Sequence, residues 1–110
     1  MSYDVYLTID TGGEVPAPVT YGQNYTYNCA PMFRLALGGN GINDLHGLRA
    51  RDAIVKLEAA VSHMAHPDNE PTYRAMNPEN GWGKHETATE FLEAILKDCR
   101  RHPLATIEVC

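Results

Sequence analysis

The sequence predicts an α+β domain: a small, largely antiparallel or mixed sheet of about three strands, an N-terminal hairpin plus a C-terminal strand, covered on one face by about three helices. Three observations point there. The chain opens and closes on segments whose apolar residues alternate with a period of two. Between them apolar residues recur at three and four, and turn-forming residues gather at the junctions. With 110 residues, 44% of them apolar, one domain spanning 1–110 can close a single core without staples.

Tyr3, Val5, Leu7 and Ile9 alternate with Asp4, Tyr6, Thr8 and Asp10, which predicts a strand with one buried face. Thr11-Gly12-Gly13 supplies turn residues, and Val15, Ala17, Val19 and Tyr21 resume the alternation as the second arm of a hairpin. Pro16 and Pro18 remove two donors from the same side of that arm, so the arm is predicted at an edge of the sheet. Asn28 followed by Pro31 has the pattern of a helix start, with the asparagine as cap, and Gly38-Gly39 ends the short helix after Leu37. Gly39-Asn40-Gly41 with Asn43-Asp44 then suits a loop of left-handed and Asx-turn geometry.

From about Ala50, the residues Ile54, Leu57, Val61 and Met64 mark the apolar face of a second helix, with Asp52 and Lys56 spaced to pair on its polar side. His66-Pro67 stops it. Glu70 to Met76 fits one more helical turn before the loop Asn77-Pro78-Glu79-Asn80-Gly81-Trp82-Gly83. Thr87 with Glu90 has capping-box spacing, and Ala88, Phe91, Leu92, Ile95 and Cys99 trace the apolar stripe of the last helix. Lys97, Arg100, Arg101 and His102 complement its C-terminal dipole, and Pro103 blocks its extension. Ala105, Ile107 and Val109 alternate with Thr106 and Glu108 as a closing strand. With the second strand at an edge, the simplest sheet sets the first strand between the second and the last.

Composition narrows the function classes. Fourteen acidic against 9 basic residues give a net charge of −5, and no basic cluster exceeds Arg100-Arg101, so no nucleic-acid partner is expected. Cys29, Cys99 and Cys110 are widely spaced and odd in number, which fits free thiols in a reducing cytosol rather than a disulfide framework or a CxxC site. The longest apolar run is too short to span a membrane, and the N-terminus opens on a strand pattern, so a cytoplasmic chain is expected.

Four groups of residues carry chemical interest. Ile9-Asp10-Thr11-Gly12 resembles the active-site signature of retroviral-type aspartic proteases, homodimers in which each chain supplies one aspartate to a dyad. The resemblance covers only those few residues. Gly13 stands where that family usually has alanine, and a hairpin turn accounts for the same letters. His63 and His66, three apart, with Asp68 have the residue types of a three-ligand metal site, but histidines near a helix end also favour its dipole without an ion, so no metal or cofactor is expected. Cys99 lies on an apolar stripe and reads as core.

The other two groups are Asn24-Tyr25-Thr26-Tyr27-Asn28 and Asn77 to Gly83. In extended geometry Asn24, Thr26 and Asn28 form a row of neutral donors and acceptors, with the tyrosines on the opposite face. Asn80 and Trp82 add an amide and a flat apolar face with an indole donor. Caps and turns explain the same asparagines and glycines, and a lone tryptophan also serves to plug the edge of a small core.

Tyr3-Asp4-Val5-Tyr6-Leu7, the Asn24–Asn28 segment with Pro31-Met32, Asn77-Pro78 with Asn80-Gly81-Trp82-Gly83, and the closing Thr106-Ile107-Glu108-Val109 resemble a group of small proteins without an assigned activity in bacteriophages and bacteria, notably phages of actinobacteria. The resemblance spans nearly the whole chain. It implies a phage accessory role, including interference with host machinery or with a defence signal.

Three functions follow. The first is non-enzymatic binding of a small polar ligand, nucleotide-like among others, or of a host protein through Asn24, Thr26, Asn28, Asn80 and Trp82. The second is a hydrolase using Asp10 in a dimer, or a metal at His63, His66 and Asp68. The third is a homo-oligomer joined through an edge strand or a Trp82 patch.

Overall fold

The computed structural model describes residues 1–110. Its element order is β1 (Ser2–Ile9), β2 (Ala17–Pro18), β3 (Gln23–Thr26), α1 (Ala30–Leu37), α2 (Ala50–Ala65), α3 (Glu70–Arg74), α4 (His85–Arg101) and β4 (Thr106–Val109). Short 3-10 turns at Tyr27–Cys29, Gly41–Leu45 and Pro67–Asn69 connect several of them. The protein is therefore α+β, with four helices and a four-stranded antiparallel sheet. No helix is long and apolar enough to cross a membrane.

β1 is the centre of the sheet, as the alternation and the two prolines imply. It pairs antiparallel with β2 and β3 and with β4. Successive residues of a strand turn their backbone groups to opposite edges. Asp4 exchanges both of its bonds with Cys110, whereas Leu7, of opposite parity, accepts from Val19 N–H and donates to Thr20 Oγ1. β2 and β3 thus lie end to end along one edge of β1, and β4 lies along the other. β4 is itself flanked by Gly47 to Arg49, through Gly47 N–H to Ile107 O, Ile107 N–H to Leu48 O and a bridge from Arg49 to Thr106.

The hairpin arm expected over Val15 to Tyr21 is reduced to two residues. Thr20 supplies a side-chain oxygen where the ladder needs a carbonyl, so the chain lifts away over Thr20 to Gly22. Gly22, at φ +90°, returns it, and a Cβ there would sit 3.2 Å from Tyr6 Cβ and from Val5 O. The break leaves Tyr21 fully exposed. Ile9, expected inward, is also exposed, because β1 outruns the core at that end.

The helices cover the face that carries Tyr3, Val5 and Leu7. α4 buries Ala88, Phe91, Leu92, Ile95 and Cys99, the stripe read from its sequence, and Leu96 and His85 besides. On α2 the buried face is Ala50, Ala53, Leu57, Ala60 and Met64, with Ile54 and Val61 only half-buried. Small residues let the α2 backbone approach its neighbours closely, so the core turns toward the alanines rather than the larger side chains.

Three local expectations are corrected. α1 takes Cys29 as N-cap and receives no side-chain cap from Asn28. α4 begins at His85, two residues before Thr87, because Asn77 Oδ1 accepts the His85 N–H at 2.8 Å from across the loop. Asp52 lies 4.0 Å from the Arg51 guanidinium and forms no ion pair with Lys56.

Candidate functional site

The alternation in β3 turns Asn24 outward and Tyr25 inward, toward α4. Tyr25 and Tyr27 pack with Tyr3, Phe33 and Phe91, the Tyr3 and Tyr27 rings lying edge to face at 4.4 Å and the Tyr25 and Phe91 rings stacked at 5.2 Å. The tyrosines thus form the aromatic backing of the segment.

Across this cluster runs the loop from Asn77 to Lys84. The Tyr25 hydroxyl accepts the Lys84 N–H at 3.0 Å, reaches Lys84 O at 3.1 Å and lies 2.6 Å from Thr87 Oγ1. Thr87 Oγ1 in turn donates to Lys84 O at 3.2 Å. Next to that contact, a Cβ on Gly83 would fall 2.7 Å from Thr26 Cγ2, 2.8 Å from Cys29 Sγ and 3.0 Å from Tyr25 Oη. The two asparagine-rich segments, far apart in the chain, therefore touch, and Gly83 is the point of closest approach.

Within this junction most of the predicted polar atoms serve the protein itself. Asn24 Nδ2 donates to Asp4 Oδ1 at 2.8 Å and lies within bonding distance of Ser2 Oγ and Tyr3 O. Thr26 Oγ1 accepts from Asn28 N–H at 3.2 Å and from Asn28 Nδ2 at 2.9 Å, which closes the 3-10 turn. Asn28 has left the strand by then, so the extended three-residue row does not form. Asn80 Oδ1 accepts the Trp82 N–H at 2.9 Å in an Asx turn. Trp82 does not plug the core: it is 68% exposed, on a loop held at both ends by Tyr25 and by the Asn77 cap of α4.

Burial pushes the Cys29 thiol and the Tyr25 phenol above their ordinary pKa values, with the Thr87 and Lys84 bonds offsetting part of the effect on Tyr25. Both stay protonated near neutral pH and act as packing and hydrogen-bonding groups rather than nucleophiles.

The remaining candidates are placed elsewhere. Asp10 is exposed at the hairpin tip and accepts the Gly12 N–H at 2.8 Å, an Asx turn. His63 Nδ1 bonds the Tyr73 hydroxyl at 2.6 Å, His66 Nδ1 accepts the Asp68 N–H at 3.1 Å, and no group of three His, Cys, Asp or Glu side chains is placed to hold an ion. Tyr73 stacks on His85, whose Nε2–H donates to Met64 O at 2.6 Å while its buried Nδ1 has no partner.

Three grooves mark the surface. They lie between α2 and α4 around Glu58, Leu96 and Arg100, beside Pro18 to Tyr21, and between Val19 to Gln23 and the end of α4. None is lined by Asn24, Thr26, Asn28, Asn80 or Trp82. Sequence reasoning placed Tyr25 in the aromatic backing but missed that its hydroxyl anchors the loop at Lys84 and Thr87, and it missed Gly83 as the point of closest approach, whose signal was a glycine directly after the tryptophan. No family model, curated protein or solved structure matches the chain.

Proposed function

We propose that the chain is a small accessory protein of bacteriophage type that binds without catalysing, presenting the junction of Asn24–Asn28 and Asn77–Gly83 to a host protein. The observation that carries this reading is Trp82, 68% exposed on a loop anchored at both ends. A large aromatic side chain carried on a loop whose backbone is already fixed at both ends spares the cost of ordering that loop on binding, which suits an interface anchor. Asn28 and Asn80 lie exposed on the same two segments, and the surface carries no groove there, which favours a flat protein contact over an enclosed small molecule. Interference with host machinery or with a defence signal is the role that the resemblance to phage proteins suggests for such a surface.

Trp82→Ala should leave the thermal midpoint within the range of a surface substitution and weaken the wild-type partner by about 2 kcal/mol or more, roughly thirtyfold in Kd. If Trp82→Ala and Asn28→Ala both stay folded and still retain that partner from host lysate, the surface is wrongly placed. The alternative reading, a small polar ligand, is favoured away from Trp82 by the groove of about 280 Å³ whose lining includes Gln23, Asp98, Arg101 and His102. Loss of binding in Arg101→Ala but not in Trp82→Ala would select that reading.

A further inference from the structure

The chain contains two Asn-Gly steps, Asn40-Gly41 and Asn80-Gly81, and they sit in opposite chemical environments. At Asn80 the side-chain Oδ1 accepts the Trp82 N–H at 2.9 Å, which folds the carboxamide back over the Gly81 peptide and polarises its carbonyl. Gly81 is exposed, has no side chain to shield its nitrogen, and makes only a long bond of 3.3 Å to Pro78 O.

Asn40 is held the other way. Its Nδ2 donates to Asp44 Oδ1 at 3.3 Å and its N–H to Asp44 Oδ2 at 2.8 Å. Gly41 is buried, its N–H donates to Gly38 O at 2.9 Å, and a Cβ there would lie 3.1 Å from Arg34 N. Asn77, in the same loop as Asn80, precedes Pro78 and so has no neighbouring N–H to react.

We propose that Asn80 is a self-modification site, at which the Gly81 nitrogen attacks the Asn80 side chain and the asparagine is converted to aspartate or isoaspartate. Gly81 N loses its proton as the N–Cγ bond forms. The bond from Cγ to the side-chain nitrogen breaks, and ammonia leaves carrying that proton. Water then adds to one of the two carbonyls of the resulting cyclic imide and opens it, so water is the only co-reactant. The product places a carboxylate two residues before Trp82, and the isoaspartyl form adds a backbone atom as well. Resting on the contact surface proposed above, each converted molecule presents an altered face, and binding declines as the protein ages.

Peptide mapping by mass spectrometry, with an isoaspartate assay, tests the site on the full chain kept in mildly alkaline buffer, folded or in urea. Asn80 in the folded chain should convert at least about tenfold faster than Asn40, the factor that one net hydrogen bond corresponds to, and the two rates should converge in urea. Asn80→Gln should remove the mass gain from that peptide. Equal rates at the two sites in the folded chain, or conversion at neither site until urea is added, would overturn the proposal. The mass readout needs no partner, so failure of the contact surface and failure of the modification are told apart.

Discussion

Cys99 shows at the scale of one residue how a candidate reactive group becomes a structural one. It is fully buried on α4, and burial, with the neighbouring Asp98 carboxylate adding to it, pushes its thiol from 9.0 up to about 11. An unfolded chain ionises the thiol near its ordinary value, while the folded protein keeps the proton. Between those values the unfolded state binds fewer protons, so the contribution to stability is complete below about pH 9 and is lost as pH rises toward 11. Urea midpoints should therefore hold up to about pH 9 and then fall, with Cys99 contributing about 1 to 3 kcal/mol of the loss. Cys99→Ala should show a shallower decline, and an unchanged slope would exclude the thiol as the cause. The core position of Cys99 was legible from its stripe. That of Cys29 was not, because its burial comes from Gly83 and Tyr25 closing over it.

Between elements, the contact of the Asn77–Lys84 loop with the end of β3 carries the candidate site. Gly83 has φ +98°, where side chains are disfavoured, and the space its Cβ would need is filled by Thr26, Cys29 and Tyr25. Gly12 has a similar φ of +82° and nothing within 4 Å. Gly83→Ala should destabilise by about 2 to 5 kcal/mol and lower Tm by about 10 °C or more, whereas Gly12→Ala carries the backbone cost alone, about 1 to 2 kcal/mol. Equal shifts in the two variants would mean that the loop yields and that the junction is loose. Sequence reasoning found both segments but not their contact. It assigned Asn24, Thr26 and Asn28 to one face of an extended strand, and a 3-10 turn one residue after Thr26 rotated Asn28 out of that row. It also assigned the cap of α4 to Thr87, since a local spacing can be read along the chain, whereas a cap donated by Asn77 from the far end of a loop cannot.

For the whole molecule, the sheet is closed by its last strand. β4 lies between β1 and the Gly47–Arg49 segment, and it buries Ile107 completely, with Ala105 just before it nearly so. Removing Thr106 to Cys110 strips one edge from the central strand and opens the core beneath it. The truncated protein should lose its cooperative thermal transition, and a retained sharp melt would contradict this architecture. The sequence by itself determined the order of the helices and of three of the four strands, the central place of β1, the edge position forced by Pro16 and Pro18, and the apolar stripe of α4. Those features follow from periodicity and proline geometry, which are local properties of the chain. Tertiary structure alone decided that β3 completes the edge, that α2 packs by its alanines, that Tyr25 meets Lys84, and that Trp82 stays exposed. The physical reason is that these depend on which faces of distant elements approach one another, and close packing selects that pairing from volumes and hydrogen bonds that no single stretch of sequence contains.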